Sequence, residues 1–125
     1  MPVDLTTHPD LDRVRTRLLE SMQGYLQSFE DDGRETPYGA ADIARCAAIL
    51  DAFVARVGAA GGNAEHIMAA VRDTVLSLND LSEEVDSLIE TDQREDLCEF
   101  IGLAARAGGL EVEAGADITE AWREW

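Results

Sequence analysis

The sequence is short of several features that would point directly to a function. It has no lysine, three prolines and two cysteines, and aromatic side chains make up 6% of its 125 residues. No apolar run approaches the ~20 residues that a helix needs to cross a bilayer. The first ten residues, MPVDLTTHPD, lack the basic and apolar regions of a signal peptide. Two cysteines fit a reducing compartment, so we expect a cytoplasmic protein.

Positive charge is scarce as well. Ten arginines face 26 acidic residues, which gives a formal net charge of -16 at pH 7. This balance argues against binding to nucleic acid or to an anionic membrane. Hydrophobic residues make up 46% of the chain, enough to bury a core without disulfides or metal. We therefore expect a single helical domain over residues 1–125.

The spacing of apolar residues between glycine and proline breaks predicts helices. The first helix should span about residues 9–30, with one apolar stripe along it. This stripe comprises Leu11, Val14, Leu18, Met22, Tyr25 and Phe29. The second should run from about 36–37 to 58. The third should begin at Asn63, a good N-cap residue.

No glycine or proline occurs between Asn63 and Ile101, and one helix of that length is not expected in a small domain. We place a break within residues 79–91. A fourth helix then follows over about 92–107, capped by Asp92 with Glu95. Asp117 should open a short final helix. Strand signals are nearly absent, so the predicted fold is all-α: a four-helix bundle with a short C-terminal helical appendage.

Acidic residues are concentrated in the second half of the chain. Residues 63–125 hold sixteen acids and four arginines, and the run 80–99 holds nine acids and a single Arg94. We expect Arg94 to pair with Glu90 or Asp96. The candidate partner-binding residues are Glu83, Glu84, Asp86, Asp92, Glu95, Asp96 and Glu99.

Three interpretations of this acidic run remain open. It is a solvated face that maintains solubility, a docking surface for a basic protein such as a nuclease toxin, or a mimic of DNA. On the fourth helix, acids spaced by three and four residues should share one exposed face and repel each other by roughly 0.2–0.5 kcal/mol per pair. A cationic partner would relieve that repulsion.

Catalytic and metal-binding patterns are missing. His8 and His66 have no cysteine or histidine at ligand spacing, and the motifs of zinc and di-iron sites are absent. Cys46 and Cys98 lie among apolar residues, where a thiol acts as a small core side chain. We therefore predict no catalytic residue, no metal and no cofactor.

One enzymatic alternative is kept. Glu83-x-x-Asp86 and Asp92-x-x-Glu95 loosely imitate the carboxylate pairs of all-α nucleotide hydrolases. In that alternative these four carboxylates bind Mg²⁺ and a phosphate-containing small molecule.

Two tryptophans lie three residues apart near the end of the chain. Trp122 and Trp125 either close the open end of the bundle or form an exposed aromatic anchor for a partner. We favour closure.

Three stretches carry a resemblance to a family. They are residues 38–46 (YGAADIARC), 90–101 (ETDQREDLCEFI) and 117–125 (DITEAWREW). Together they resemble a family of small, acidic, cytosolic bacterial proteins of unassigned function, which brings no catalytic residue with it. In size, charge and fold class the chain is also similar to bacterial toxin immunity proteins.

These observations favour a non-enzymatic binding protein, most concretely an immunity-type inhibitor of a basic toxin. We expect a monomer or a homodimer. A helical oligomerisation module that uses a leftover apolar stripe is a further possibility.

Overall fold

The computed structural model describes residues 4–113 and 115–125. It contains four helices: α1 (Pro9–Asp31), α2 (Ala40–Ala59), α3 (Ala64–Glu84) and α4 (Thr91–Ala107). Within the described residues there is no strand. The predicted all-α class and the four main helices are therefore confirmed, and the break after the third helix falls within 79–91 as predicted.

Consecutive helices run antiparallel, as in an up-down-up-down bundle. α1 packs mainly against α4, and α2 packs mainly against α3, whereas α3 and α4 touch over a shorter length. Contacts between residues far apart in the chain, taken two at a time, follow opposite orders along neighbouring helices. They are Arg45–Glu84 with Arg56–Asp73 for α2 and α3, Arg17–Asp96 with Ser21–Gln93 for α1 and α4, and Arg15–Asp51 with Met22–Tyr38 for α1 and the chain that leads into α2.

The core is built from the predicted stripes, except that Tyr25 and Phe29 of the α1 stripe lie outside it, since Tyr25 is exposed and Phe29 is only half-buried. Leu11, Val14, Leu18 and Met22 are buried, but the next buried residue is Leu26 and not Tyr25. Tyr25 is 39% exposed. The reason is that Tyr38, from the connection between α1 and α2, is buried and donates its hydroxyl to the Met22 carbonyl at 2.9 Å. It fills the place beside the last turns of α1.

The far ends of α2 and α4 meet closely at Gly108. A Cβ at this position would collide with the Cγ1 atom of Val57, although the backbone of Gly108 is in the ordinary right-handed region. Glycine is needed here for space and not for backbone freedom.

The end of the chain differs from the prediction. Residues 115–125, which we call the C-terminal strap, form turns and not a helix. Asp117 accepts hydrogen bonds from the backbone N–H and the hydroxyl of Thr119, at 2.9 and 2.5 Å. An Asp that bonds the residue two places on favours a turn. The predicted final helix is therefore not confirmed.

The sequence has no apolar run long enough to cross a bilayer, and the helices of the structure agree with this. Among the described residues, none of the helices has the length and apolarity that crossing a bilayer requires.

Candidate acidic interface

The connection between α3 and α4 places the acidic run at one end of the bundle. Leu88 is fully buried and holds this connection against the core. Gln93 accepts a hydrogen bond from the Glu90 N–H at 3.1 Å and donates one to the Ser21 hydroxyl on α1. The predicted cap of α4, Asp92 with Glu95, is wrong by two residues, since Glu90 with Gln93 holds that place.

Arg17 of α1 neutralises two of the predicted interface residues. Its Nε atom donates to Asp96 at 2.9 Å, and its Nη2 atom lies 2.5 Å from Glu99. These hydrogen bonds, first to Asp96 and then to Glu99, raise the pKa of Arg17. The side chain of Asp96 is only 13% exposed. Asp96 therefore belongs to the α1–α4 packing more than to an open surface.

Glu84 is also engaged inside the chain. The Nη2 atom of Arg45 on α2 lies 2.7 Å from its Oε2 atom, and both side chains are about half exposed. Arg94 is the one arginine within the acidic run, and it forms no ion pair in the part of the chain that the structure describes. The predicted pairing of Arg94 with Glu90 or Asp96 is therefore wrong. The neutralising arginines come from α1 and α2 instead.

Four of the seven predicted residues remain available to a partner. Their side chains are exposed, and within residues 4–113 and 115–125 none of them forms an ion pair or a side-chain hydrogen bond. We call these four the open carboxylates: Glu83, Asp86, Asp92 and Glu95.

The same four residues were the candidate ligands of the magnesium alternative. In the described chain, no three His, Cys, Asp or Glu side chains converge into a group that could hold a metal ion. The geometry therefore gives the magnesium alternative no support.

The two cysteines have different surroundings. Cys46 is fully buried, and burial raises the pKa of its thiol to about 12. Cys98 is half-buried between α4 and the strap, with its sulfur 3.6 Å from the hydroxyl of Thr119, and burial again raises its pKa. A raised thiol pKa disfavours the nucleophilic thiolate. Cys46 is the core residue that the sequence predicted, whereas Cys98 lies at the edge of the core.

The strap is fastened to α3 by one buried amide. Asn79 donates from Nδ2 to the Trp122 carbonyl at 2.8 Å and accepts from the Glu124 N–H at 3.0 Å. The rings of Trp122 and Trp125 are half-buried against the core. This arrangement favours closure of the bundle over an exposed tryptophan anchor. The sequence predicted no role for Asn79 beyond its place at the start of the expected break at residues 79–91.

Comparison with known proteins adds no relative. No family model matches the chain, and neither a curated protein nor a solved structure matches it. The resemblance to small acidic bacterial proteins and to immunity proteins therefore stays a prediction.

Proposed function

We propose that this is a non-enzymatic binding protein of the bacterial cytoplasm, most concretely an immunity-type inhibitor that neutralises a cognate basic toxin. The observation that carries this proposal is the set of four open carboxylates on an exposed surface. The protein would act as a monomer or a homodimer and bind neither nucleic acid nor membrane. The full acidic surface comprises Glu83, Glu84, Asp86, Asp92, Glu95, Asp96 and Glu99, in which the four open carboxylates would contact the partner and the other three are paired with arginines of α1 and α2.

The ion pairs of Arg17 and Arg45 separate the acidic residues of this surface into two groups with different proposed roles. Arg17 ties Asp96 and Glu99 to α1, and Arg45 ties Glu84 to α2. These pairs join α4 to α1 and α3 to α2, and so hold the two helices that carry Glu83, Asp92 and Glu95, while Asp86 lies in the connection between them. A surface held in place before binding loses less conformational freedom when a partner docks.

The open carboxylates gain more from a cationic partner than the paired ones do. Asp92 and Glu95 lie one turn apart on α4, where like charges repel. A cation docked between them would remove this repulsion without breaking an internal pair. The strongly negative net charge would also speed the encounter with a basic protein, and salt would weaken that effect.

The direct test is capture of a partner by the immobilised chain from a lysate of its own organism, followed by elution with a salt gradient. The test variant combines Glu83→Gln, Asp86→Asn, Asp92→Asn and Glu95→Gln. The matched control makes an equal charge change at exposed sites elsewhere: Glu20→Gln, Glu111→Gln, Glu113→Gln and Glu120→Gln.

We expect one basic protein to bind in equimolar amount to the wild type and to the control, to elute as salt rises, and to be retained weakly by the test variant. Equal retention by the test variant would show that the acidic surface is not the interface. Circular dichroism of each variant checks that the helices remain folded.

A further inference from the structure

Aromatic side chains from the last turns of α1 and from the connection between α1 and α2 meet at one end of the bundle, where Tyr25 is exposed, Phe29 is half-buried and Tyr38 is buried. The ring centroids of Tyr25 and Phe29 are 5.0 Å apart in an edge-to-face arrangement. Tyr25 also stacks beside Tyr38, with centroids 6.1 Å apart. The guanidinium carbon of Arg34 lies 4.2 Å from the centre of the Phe29 ring. We call Tyr25, Phe29, Arg34 and Tyr38 the aromatic corner.

Tyr38 anchors this corner, and Tyr25 presents it to solvent. Tyr38 is 5% exposed and is fixed by its hydrogen bond to the Met22 carbonyl. Tyr25 is one of two large hydrophobic side chains that are clearly exposed in the described chain. Two neighbouring rings restrict its rotamers, so contact with a partner costs little conformational entropy. Preorganised tyrosines of this kind are enriched in binding hot spots.

Acidic residues lie next to the corner along the chain. The turn after α1 reads EDDGRE over residues 30–35, four acids with one arginine. Burial raises the pKa of Tyr38 to about 12, and the charges of Tyr25 and of Glu90, the N-cap residue of α4, raise it further. The hydrogen bond from Gln93 to Ser21 fixes the start of α4 one turn before Tyr25. The corner therefore lies in a negative region that continues into the acidic run.

Arg34 shows which chemistry the corner accepts. Its guanidinium lies over Phe29 and at the same time pairs with Asp32, with the two charged atoms 2.9 Å apart. A cation over a ring with a carboxylate beside it is a favourable combination for arginine. Tyr25 offers a second ring in the same acidic surroundings.

We propose that the aromatic corner docks an arginine-bearing segment of a basic protein, with the guanidinium against the exposed side chain of Tyr25. This inference rests on the proposed function, because it names one contact by which the basic partner is held. It adds an aromatic contact that the acidic run alone does not supply.

The chain is well suited to a spectroscopic test, because Tyr25 and Tyr38 are its only tyrosines. Incorporation of fluorotyrosine gives two fluorine NMR signals, one from an exposed and one from a buried ring. The probe is a short blocked peptide of arginine and glycine. Its control is the same peptide with citrulline, which keeps the shape of arginine without the charge.

We expect the arginine peptide to shift the Tyr25 signal to saturation and the citrulline peptide to leave it in place. In calorimetry with the unlabelled chain, Tyr25→Leu should bind the arginine peptide about threefold to fivefold more weakly, and Tyr25→Phe should bind it normally. Equal shifts with both peptides, or unchanged binding by Tyr25→Leu, would overturn the inference. So would a Tyr25 shift that follows protein concentration alone, which would indicate a second copy of the chain.

The lysate capture separates this inference from the proposed function. If capture of the partner requires the open carboxylates but Tyr25→Leu retains the partner normally, the docking role of the aromatic corner is wrong and the proposed function stands. If no partner is retained but the arginine peptide still saturates the Tyr25 signal, the corner stands and the inhibitor function fails.

Discussion

At the scale of single residues, arginines determine which carboxylates a partner can reach. Arg17 and Arg45 engage three acids of the predicted interface, Asp96, Glu99 and Glu84. The sequence predicted the acidic run but not these pairs, because the paired residues are up to 82 positions apart. Helical spacing shows which residues share a face, but it does not show which helix lies opposite.

Asn79 is the residue whose loss should affect the strap most. Asn79→Ala leaves the Trp122 carbonyl and the Glu124 N–H without their partner, and we expect the free energy of unfolding to fall by about 2 kcal/mol. Urea unfolding measures the change. Gln27→Ala, which removes an exposed amide bonded to Asp31, is the control and should cost far less. Equal losses of unfolding free energy in the two variants would show that the hydrogen bonds from Asn79 to the strap add no particular stability.

Ser87 has backbone strain that glycine would relieve. Its φ of 72° lies in the left-handed region, where a Cβ is unfavourable. Ser87→Gly should therefore raise the free energy of unfolding by about 1 kcal/mol, and Ser87→Val should lower it. Thermal unfolding of the three chains provides the measurement, and a glycine variant no more stable than wild type would contradict the expectation.

The buried thiol of Cys46 should make the folded chain less stable at alkaline pH. Burial raises the pKa of the folded thiol from 9.0 to about 12, so the unfolded chain loses this proton at a lower pH than the folded chain does. The thiol's stabilising effect is complete below pH 9.0 and declines up to about pH 12. Tyr38 acts in the same direction between its ordinary pKa of 10.0 and about 12.

Cys46→Ala isolates the contribution of the thiol. We expect this variant to lose less stability than the wild type when urea unfolding is repeated at alkaline pH. Parallel losses in the two chains would show that Cys46 does not titrate as described.

At the scale of elements, local patterns predicted the four helices but not the strap. The third helix is capped by Asn63, as predicted, and the break after α3 falls within residues 79–91. The strap has the same local signals, an acid followed by apolar residues, yet it forms turns. Its shape depends on the local turn that Asp117 forms with Thr119 and on the hydrogen bonds to Asn79 of α3, and neither leaves a periodic signal.

Removal of the end of the strap should destabilise the whole bundle. A chain that ends at Ala121 loses both tryptophans and both hydrogen bonds to Asn79, which should lower the free energy of unfolding by about 2–4 kcal/mol. The melting temperature should fall by roughly 8–15 °C. Trp122→Ala keeps the backbone hydrogen bonds to Asn79, so its melting temperature should fall by less than that of the truncated chain. An unchanged melting temperature for the truncated chain would refute closure by the strap.

At the scale of the whole molecule, uneven charge is the feature that connects fold and function. The excess of acids is readable from composition alone, and it argues against nucleic acids and anionic membranes as partners. Composition did not reveal that the surface divides into paired carboxylates and open ones. It also did not show the aromatic corner, because the helical stripe of α1 predicts a core position for Tyr25, which is exposed.

The most direct test of the acidic interface is the rate at which the captured partner associates, measured against salt concentration by stopped flow. Local charge governs this rate because salt screens charges beyond roughly 8–10 Å. We predict that the variant lacking the open carboxylates associates slowly with little dependence on salt, whereas the charge-matched control keeps most of the wild-type rate and its salt dependence. Identical rates for the two variants would contradict the account, because net charge and not the acidic surface would then control binding.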